Sequence, residues 1–335
     1  MQTTLANNRQ ARRRVHIRPN LTIMKGTIAD LKFVRYGDMV VPIIMGKERK
    51  RIVNHILPQG LNGYVNDLVE VNKIAQPGSP SVYISGWGSS PGNAIQLLNN
   101  GSVVQTLTPT IIPVLNGSTV IWVFIASDLS SASYSANQVN LFVSVNNAYS
   151  VAGGSAIQYS PPFNLATATT SIIKQSGETI SFIWEIQLNL GSYASTIFII
   201  GILYSIPTAQ ITCAGSNGTQ GTFGGAYNLS SVAPYSLSSI TLQYIGGSRS
   251  ANIASVTTSY DGTNTYLVMS TSISLSSQVT ATSIIVNANS VGSGYYFCIN
   301  GQEVASGSAI QIPYNATLPA STITVTVTIE FSPAT

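Results

Sequence analysis

The chain is 335 residues long, 44% hydrophobic and only 8% charged, against roughly 25% charged residues in ordinary soluble proteins, and this length and apolar content exclude a disordered chain. Ser, Thr, Asn, Gly and Tyr replace the missing charge, giving a polar surface that hardly titrates. The net charge of +4 is unevenly spread: residues 1–75 hold thirteen of the fifteen Lys and Arg and five of the eleven Asp and Glu, a net +8, whereas residues 76–335 hold two and six, a net −4.

Residues 1–29 read as a basic arm, in which Arg9, Arg12, Arg13, Arg14 and Arg18 precede Pro19 with neither helical nor strand period. No apolar segment follows them, so no secretory signal is expected. Strands are predicted over Leu31–Tyr36 and Met39–Ile44, followed by a second basic cluster, Lys47, Arg49, Lys50 and Arg51. Residues 65–71 fit a short helix and a strand equally well. The Pro- and Gly-containing stretches at 76–80 and 152–162 punctuate the chain. They suggest a first β domain over 30–160, with a sub-boundary near 76–81, and a second over 161–335.

Period-two alternation is the main strand signal, because successive side chains on a strand point to opposite faces. From 322 to 331 every odd residue is apolar and every even one polar. Ile180, Phe182, Trp184, Ile186, Leu188 and Leu190 repeat the pattern, with Ile183 the one exception, and Ile240, Leu242 and Tyr244 repeat it again. Residues 120–125 (Val, Ile, Trp, Val, Phe, Ile) are apolar throughout, as expected of a strand covered on both faces. No segment carries a long helical period. The predicted fold is all-β, with tandem antiparallel β-sandwich or jelly-roll domains behind a basic N-terminal arm. A candidate internal repeat aligns Asn100-Gly101, Val104 and Ile112-Pro113 with Asn300-Gly301, Val304 and Ile312-Pro313, which predicts strand–turn–strand in both halves.

Groups able to carry catalysis are scarce. His16 and His55 have no Cys, carboxylate or second His at metal-ligand spacing. Glu178 and Glu185 are seven apart, which puts them on opposite faces of a strand, and Asp128, Asp261, Glu303 and Glu330 are isolated in sequence. No phosphate loop or dinucleotide fingerprint occurs. The longest apolar run, 197–204, is far short of a membrane-spanning helix. The reading is a protein that is not an enzyme and takes no cofactor or metal. Its one functional signal is charge: Arg9, Arg12, Arg13, Arg14 and Arg18, with Lys47, Arg49, Lys50 and Arg51, suit contact with the phosphates of nucleic acid or of anionic lipid. A solvated tail is the plainer alternative. Cys213 and Cys298 allow at most one intramolecular disulfide. Asn100, Asn116, Asn217, Asn228 and Asn315 are candidate glycosylation sites, each followed two residues later by Ser or Thr; Asn20 has the same pattern.

The basic arm with three consecutive arginines, the absence of an export signal and the charge-poor Ser/Thr/Asn-rich β body together resemble the layout of capsid and capsid-associated proteins of icosahedral viruses of hyperthermophilic, acidophilic archaea. The resemblance implies a jelly-roll shell, turret or penton subunit that packs with copies of itself and with other virion proteins. Its basic region would face interior DNA or an inner membrane. It further implies assembly in the host cytoplasm and an extracellular location in the released particle. A filament, pilus or surface-layer subunit of a similar organism is the rival reading.

Overall fold

The structure, a computed structural model, describes residues 8–36, 39–46, 48–63, 82–86, 92–116, 119–144, 146–151, 154–159, 162–189, 235–290, 297–299, 302–304 and 307–333. These residues are almost entirely strand, as the alternation predicts. The N-terminal part contains β1 (Asn8–Gly26), β2 (Leu31–Tyr36), β3 (Met39–Ile44), β4 (Glu48–Val53) and β5 (His55–Ile56). An α-helical stretch at 58–63 follows, in addition to the 3-10 turn Ile28–Asp30 before β2; the ambiguous segment 65–71 lies outside the described residues. Next come β6 (Val82–Gly86), β7 (Ala94–Asn99), β8 (Ser102–Leu107), β9 (Thr110–Asn116), β10 (Thr119–Asp128) and β11 (Tyr134–Val143). The series continues with β12 (Asn146–Val151), β13 (Gly154–Tyr159), β14 (Phe163–Lys174) and β15 (Thr179–Asn189).

These strands build a first sandwich. One sheet runs β1–β15–β10–β9 with β4 also on β1, and the facing sheet runs β5–β14–β11–β7–β8. The antiparallel pairings nest: β1 with β15, β5 with β14, β7 with β11 and β9 with β10. A long hairpin folded over on itself gives that nesting, which is how jelly rolls wind. Trp122, Phe124, Phe182 and Trp184 from the first sheet meet Ile95, Leu97, Val139 and Leu141 from the second in one buried cluster. β6, β12 and β13 form a separate three-stranded sheet. The punctuation at 152–162 therefore brackets β13, a hairpin strand on β12. It does not end a sheet: β14 and β15, beyond residue 160, pair with β11 and β10 before it.

A second sandwich follows. It contains β16 (Tyr235–Tyr244), β17 (Gly247–Asn252), β18 (Ser255–Tyr260), β19 (Thr265–Ser274) and β20 (Val279–Ser290). β21 (Phe297–Ile299) and β22 (Gln302–Val304) form a separate two-stranded sheet, and β23 (Gly307–Leu318) and β24 (Thr322–Pro333) complete the sandwich. The sheet β17–β16–β20–β23 faces β18–β19–β24. Ile240, Leu242, Ile284 and Ile312 pack with Leu267, Met269, Val325 and Val327 between them. The candidate repeat corresponds to a hairpin (β7–β8, β21–β22) and a following strand carrying Ile-Pro (β9, β23), but those strands join different partners, β10 and β20.

Within the region read as an N-terminal arm, residues 8–26 form β1, the longest strand among the described residues. Residues 16–26 of β1 lie antiparallel to β15. On its other edge β1 runs parallel to β24 over residues 8–17 and antiparallel to β4 over residues 20–25. Charge hid the strand from the sequence. Val15, Ile17, Leu21 and Ile23 alternate into the core, but arginines occupy most of the positions before them. Among the described residues, Pro19 falls between the last β24 partner, opposite Ile17, and the first β4 partner, opposite Asn20. A residue with no N–H to donate belongs at such a place in a strand.

The outer face of the first sheet carries the hairpin β2–β3. Val41 and Ile43 of the hairpin pack on Met24, Ile112, Val123, Ile125 and Ile183. Ile183, the exception to the alternation of β15, thus faces this second small core, and the unbroken apolar run of β10 serves both. Ser181 Oγ accepts the Ile44 amide at 2.7 Å, and Ser127 Oγ donates to the Pro42 carbonyl at 3.1 Å.

Candidate polyanion-binding face

Register and alternation decide where the basic side chains lie. On β1, Val15, Ile17, Leu21 and Ile23 point into the sandwich, so Arg14 and Arg18 share the opposite face with Met24. On β4, Ile52 points into the core, which turns Arg49 and Arg51 to that same outer face. Arg51 is in register with Thr22 and Arg49 with Met24. Arg14, Arg18, Arg49 and Arg51 are all exposed. From position 14 to position 24 the band runs about 33 Å at ~3.3 Å per residue, shifting one strand on the way. Members of the two basic clusters of the sequence, 9–18 and 47–51, therefore share one surface.

The remaining predicted contact residues divide. The backbone of Arg9, Arg12 and Arg13 is in register with Val325, Thr328 and Ile329 of β24; their side chains, like Lys47, lie outside the described residues. Lys50 points to the inner side, where Nζ donates to Thr170 Oγ1 at 2.8 Å. It lines a groove of about 230 Å³ with Lys25, Glu48 and Ile172. Lys25 in that groove is 2.9 Å from Glu178. That ion pair, with the Gln175 amide donating to Glu178 at 2.6 Å, holds the Glu178 carboxyl below its ordinary range, the backbone hydrogen bond contributing most.

Carboxylates that are isolated in sequence are not isolated in space. Glu330 is 2% exposed and sits 2.7 Å from the Arg14 guanidinium, while Ser332 Oγ donates to it at 2.9 Å. Asp128 is buried, with Ser130 donating from both its amide (2.9 Å) and its hydroxyl (2.6 Å), and Gln105 donating at 3.2 Å. Burial alone would raise its pKa; the hydrogen bonds outweigh burial and hold it below the usual carboxylate value. Lys174, 1% exposed, points its ammonium at the same loop. It donates to the carbonyls of Ser130 (2.6 Å) and Ala132 (2.7 Å) and lies 3.9 Å from Asp128. Its Nζ is 5.8 Å from the centre of the Tyr134 ring. Burial first, then the Asp128 charge, push the Tyr134 phenol above its ordinary range. Sequence reasoning missed this cluster. The available signal is the phase of β14, where Lys174 continues the inward positions Thr170 and Ile172. Asp261 caps an exposed β18–β19 turn. It accepts from Tyr266 Oη and from the amides of Thr263 and Asn264, which lowers its pKa.

His55 is exposed on β5. Among the described residues no three His, Cys, Asp or Glu are grouped to hold a metal ion, and no helix is long and apolar enough to cross a membrane. Cys298 lies on β21 opposite Glu303; Cys213 falls outside the described residues, as do Asn217 and Asn228. Asn100 sits at positive φ in the β7–β8 turn, Asn116 ends β9, and Asn315 is exposed on β23. No family model matches the chain, and no curated protein or solved structure matches it.

Proposed function

We propose that this chain is a self-assembling virion subunit, a capsid, turret or penton protein of the kind its layout resembles, whose arginine band contacts the phosphates of interior DNA or of an inner membrane. The observation that carries the reading is the gathering of Arg14, Arg18, Arg49 and Arg51 on one face of a protein whose residues 76–335 contain only eight charges. Such a band binds a polyanion chiefly by releasing its counterions, so the contact needs no base-specific chemistry.

Self-assembly has its own support. Phe33 and Val40 are 72% and 59% exposed on β2 and β3, with Ile28 and Met45 similarly bare where the hairpin joins the sheet. Exposed apolar residues gathered on one element favour packing against another molecule. The sparse charge means that little must be desolvated there.

An arginine-selective dicarbonyl reagent tests the orientation. Arg18, Arg49 and Arg51 should be modified in disrupted native assemblies and protected in intact ones; modification of all three from the outside of intact assemblies would sink the reading. Binding of dissociated subunits to duplex DNA and to anionic vesicles, compared over a salt series, identifies the partner. Replacing Arg18, Arg49 and Arg51 with Ala should reduce the salt slope for the true partner by about one per arginine.

A further inference from the structure

β1 serves two sandwiches with two different halves. Residues 16–26 pair with β15 in the first, and residues 8–17 pair with β24 in the second; only His16 and Ile17 have both neighbours. Residues 235–333 by themselves supply a four-stranded sheet, β17–β16–β20–β23, facing only three strands, β18–β19–β24. The eighth strand arrives from the opposite end of the chain and lies parallel to β24. At the junction, Arg18 and Pro19 have no register partner among the described residues of β24 and β4.

From this arrangement we infer that assembly proceeds by strand exchange: residues 8–17 of one copy complete the second sandwich of a neighbouring copy. The exchanged pairing keeps the same ladder, the same parallel register and the same burial of Val15 and Ile17 against the β24 core, so no contact is lost in forming it. Exchange of an identical element between copies is for this reason a low-cost route to association. Forty-five residues of chain separate Asn189, the end of β15, from Tyr235, the start of β16. At up to ~3.3 Å per residue, that length does not restrict a second sandwich to the β1 of its own chain. The contact is heterologous, with a donor half-strand on one side and an acceptor edge on the other. Repeated head to tail it closes into a ring if the rotation permits and otherwise grows as a fibre.

The register supplies the experiment. Gln10 is opposite Thr326, and paired strands lie about 4.8 Å apart, within the span a disulfide bridges. In a background with Cys213→Ser and Cys298→Ser, chains carrying only Gln10→Cys are co-expressed with chains carrying only Thr326→Cys, and the native assembly is mildly oxidised. A covalent heterodimer on a non-reducing denaturing gel is expected, since that bond can form only between copies. The chain carrying both cysteines should give a ladder of dimers and longer species. The inference is overturned if no heterodimer forms and the double variant closes on itself as a monomer. It is equally overturned if the double variant forms no bond at all, because the register would then be absent both within and between chains.

Discussion

Lys174 shows how an isolated charge can be made into a fastener. Its ammonium gathers two carbonyls of the β10–β11 loop and lies beside Asp128, with the Lys174 and Asp128 side chains buried. Substituting Lys174→Met keeps most of the volume but leaves buried acceptors facing an apolar chain. Losing one partner of a buried charged group typically costs about 3–5 kcal/mol, and a urea midpoint shifted down by a corresponding amount is expected. The pH profile follows from the same loop. Asp128 and Glu178 have folded pKa values below their unfolded ones. Their contribution is therefore complete above the unfolded values, about 4, and is lost as pH falls through the folded values. Tyr134 is shifted the other way: its contribution is complete below about pH 10 and is lost as pH rises through the folded value. Thermal melts should be flat between these limits, and Tyr134→Phe should reduce the alkaline decline, to which Tyr266, raised by its hydrogen bond to Asp261, also contributes. A melting temperature that already falls steeply between pH 6 and 5 would contradict the assignment.

Among the elements, the β2–β3 hairpin is held by shape as much as by its small core. Where the chain leaves β3, Gly46 passes so close to β1 that a Cβ there would stand 1.9 Å from the Lys25 carbonyl oxygen. Backbone cannot yield as a side-chain tip can, so Gly46→Ala should displace the hairpin. A loss of about 1–3 kcal/mol is expected, with faster amide exchange in 31–44 than in β15. Much at this scale is legible in the sequence: β2 and β3 have the predicted limits, and the unbroken apolar run of β10 does mean two covered faces. Ile183 is the instructive case, since a break in a period is a statement about what covers the other face. The strand β4 was not legible, because Glu48, Arg49, Lys50 and Arg51 obscure the alternation that Ile52 alone continues inward.

For the whole molecule the sequence conveys the all-β class, while the partnerships between distant strands come only from the structure. Nothing local in residues 8–17 announces a strand, because an apolar stripe begins only at Val15 and the stabilising neighbour is β24. The split of charge between residues 1–75 and the rest is visible in composition, but joining two basic clusters into one band requires the β1–β4 register. Similarly, the pairing of Arg14 with Glu330 links residues more than three hundred positions apart. Long-range pairing of this kind predicts slow folding: after dilution from denaturant, burial of the Trp122 and Trp184 fluorophores in the first sandwich should precede protection of the amides in 8–17.

The β1–β24 ladder also imposes an order on synthesis. A ribosome delivers the half-strand at residues 8–17 more than three hundred residues before its partner β24, the last described strand to emerge. Throughout elongation that half-strand is held in reserve, rich in arginine and low in apolar content before Val15. A segment that must wait for its partner without aggregating is well served by like charges that keep copies apart. The arginines of residues 8–17 would then act first as a delay, keeping β1 soluble until the other end of a chain arrives to receive it.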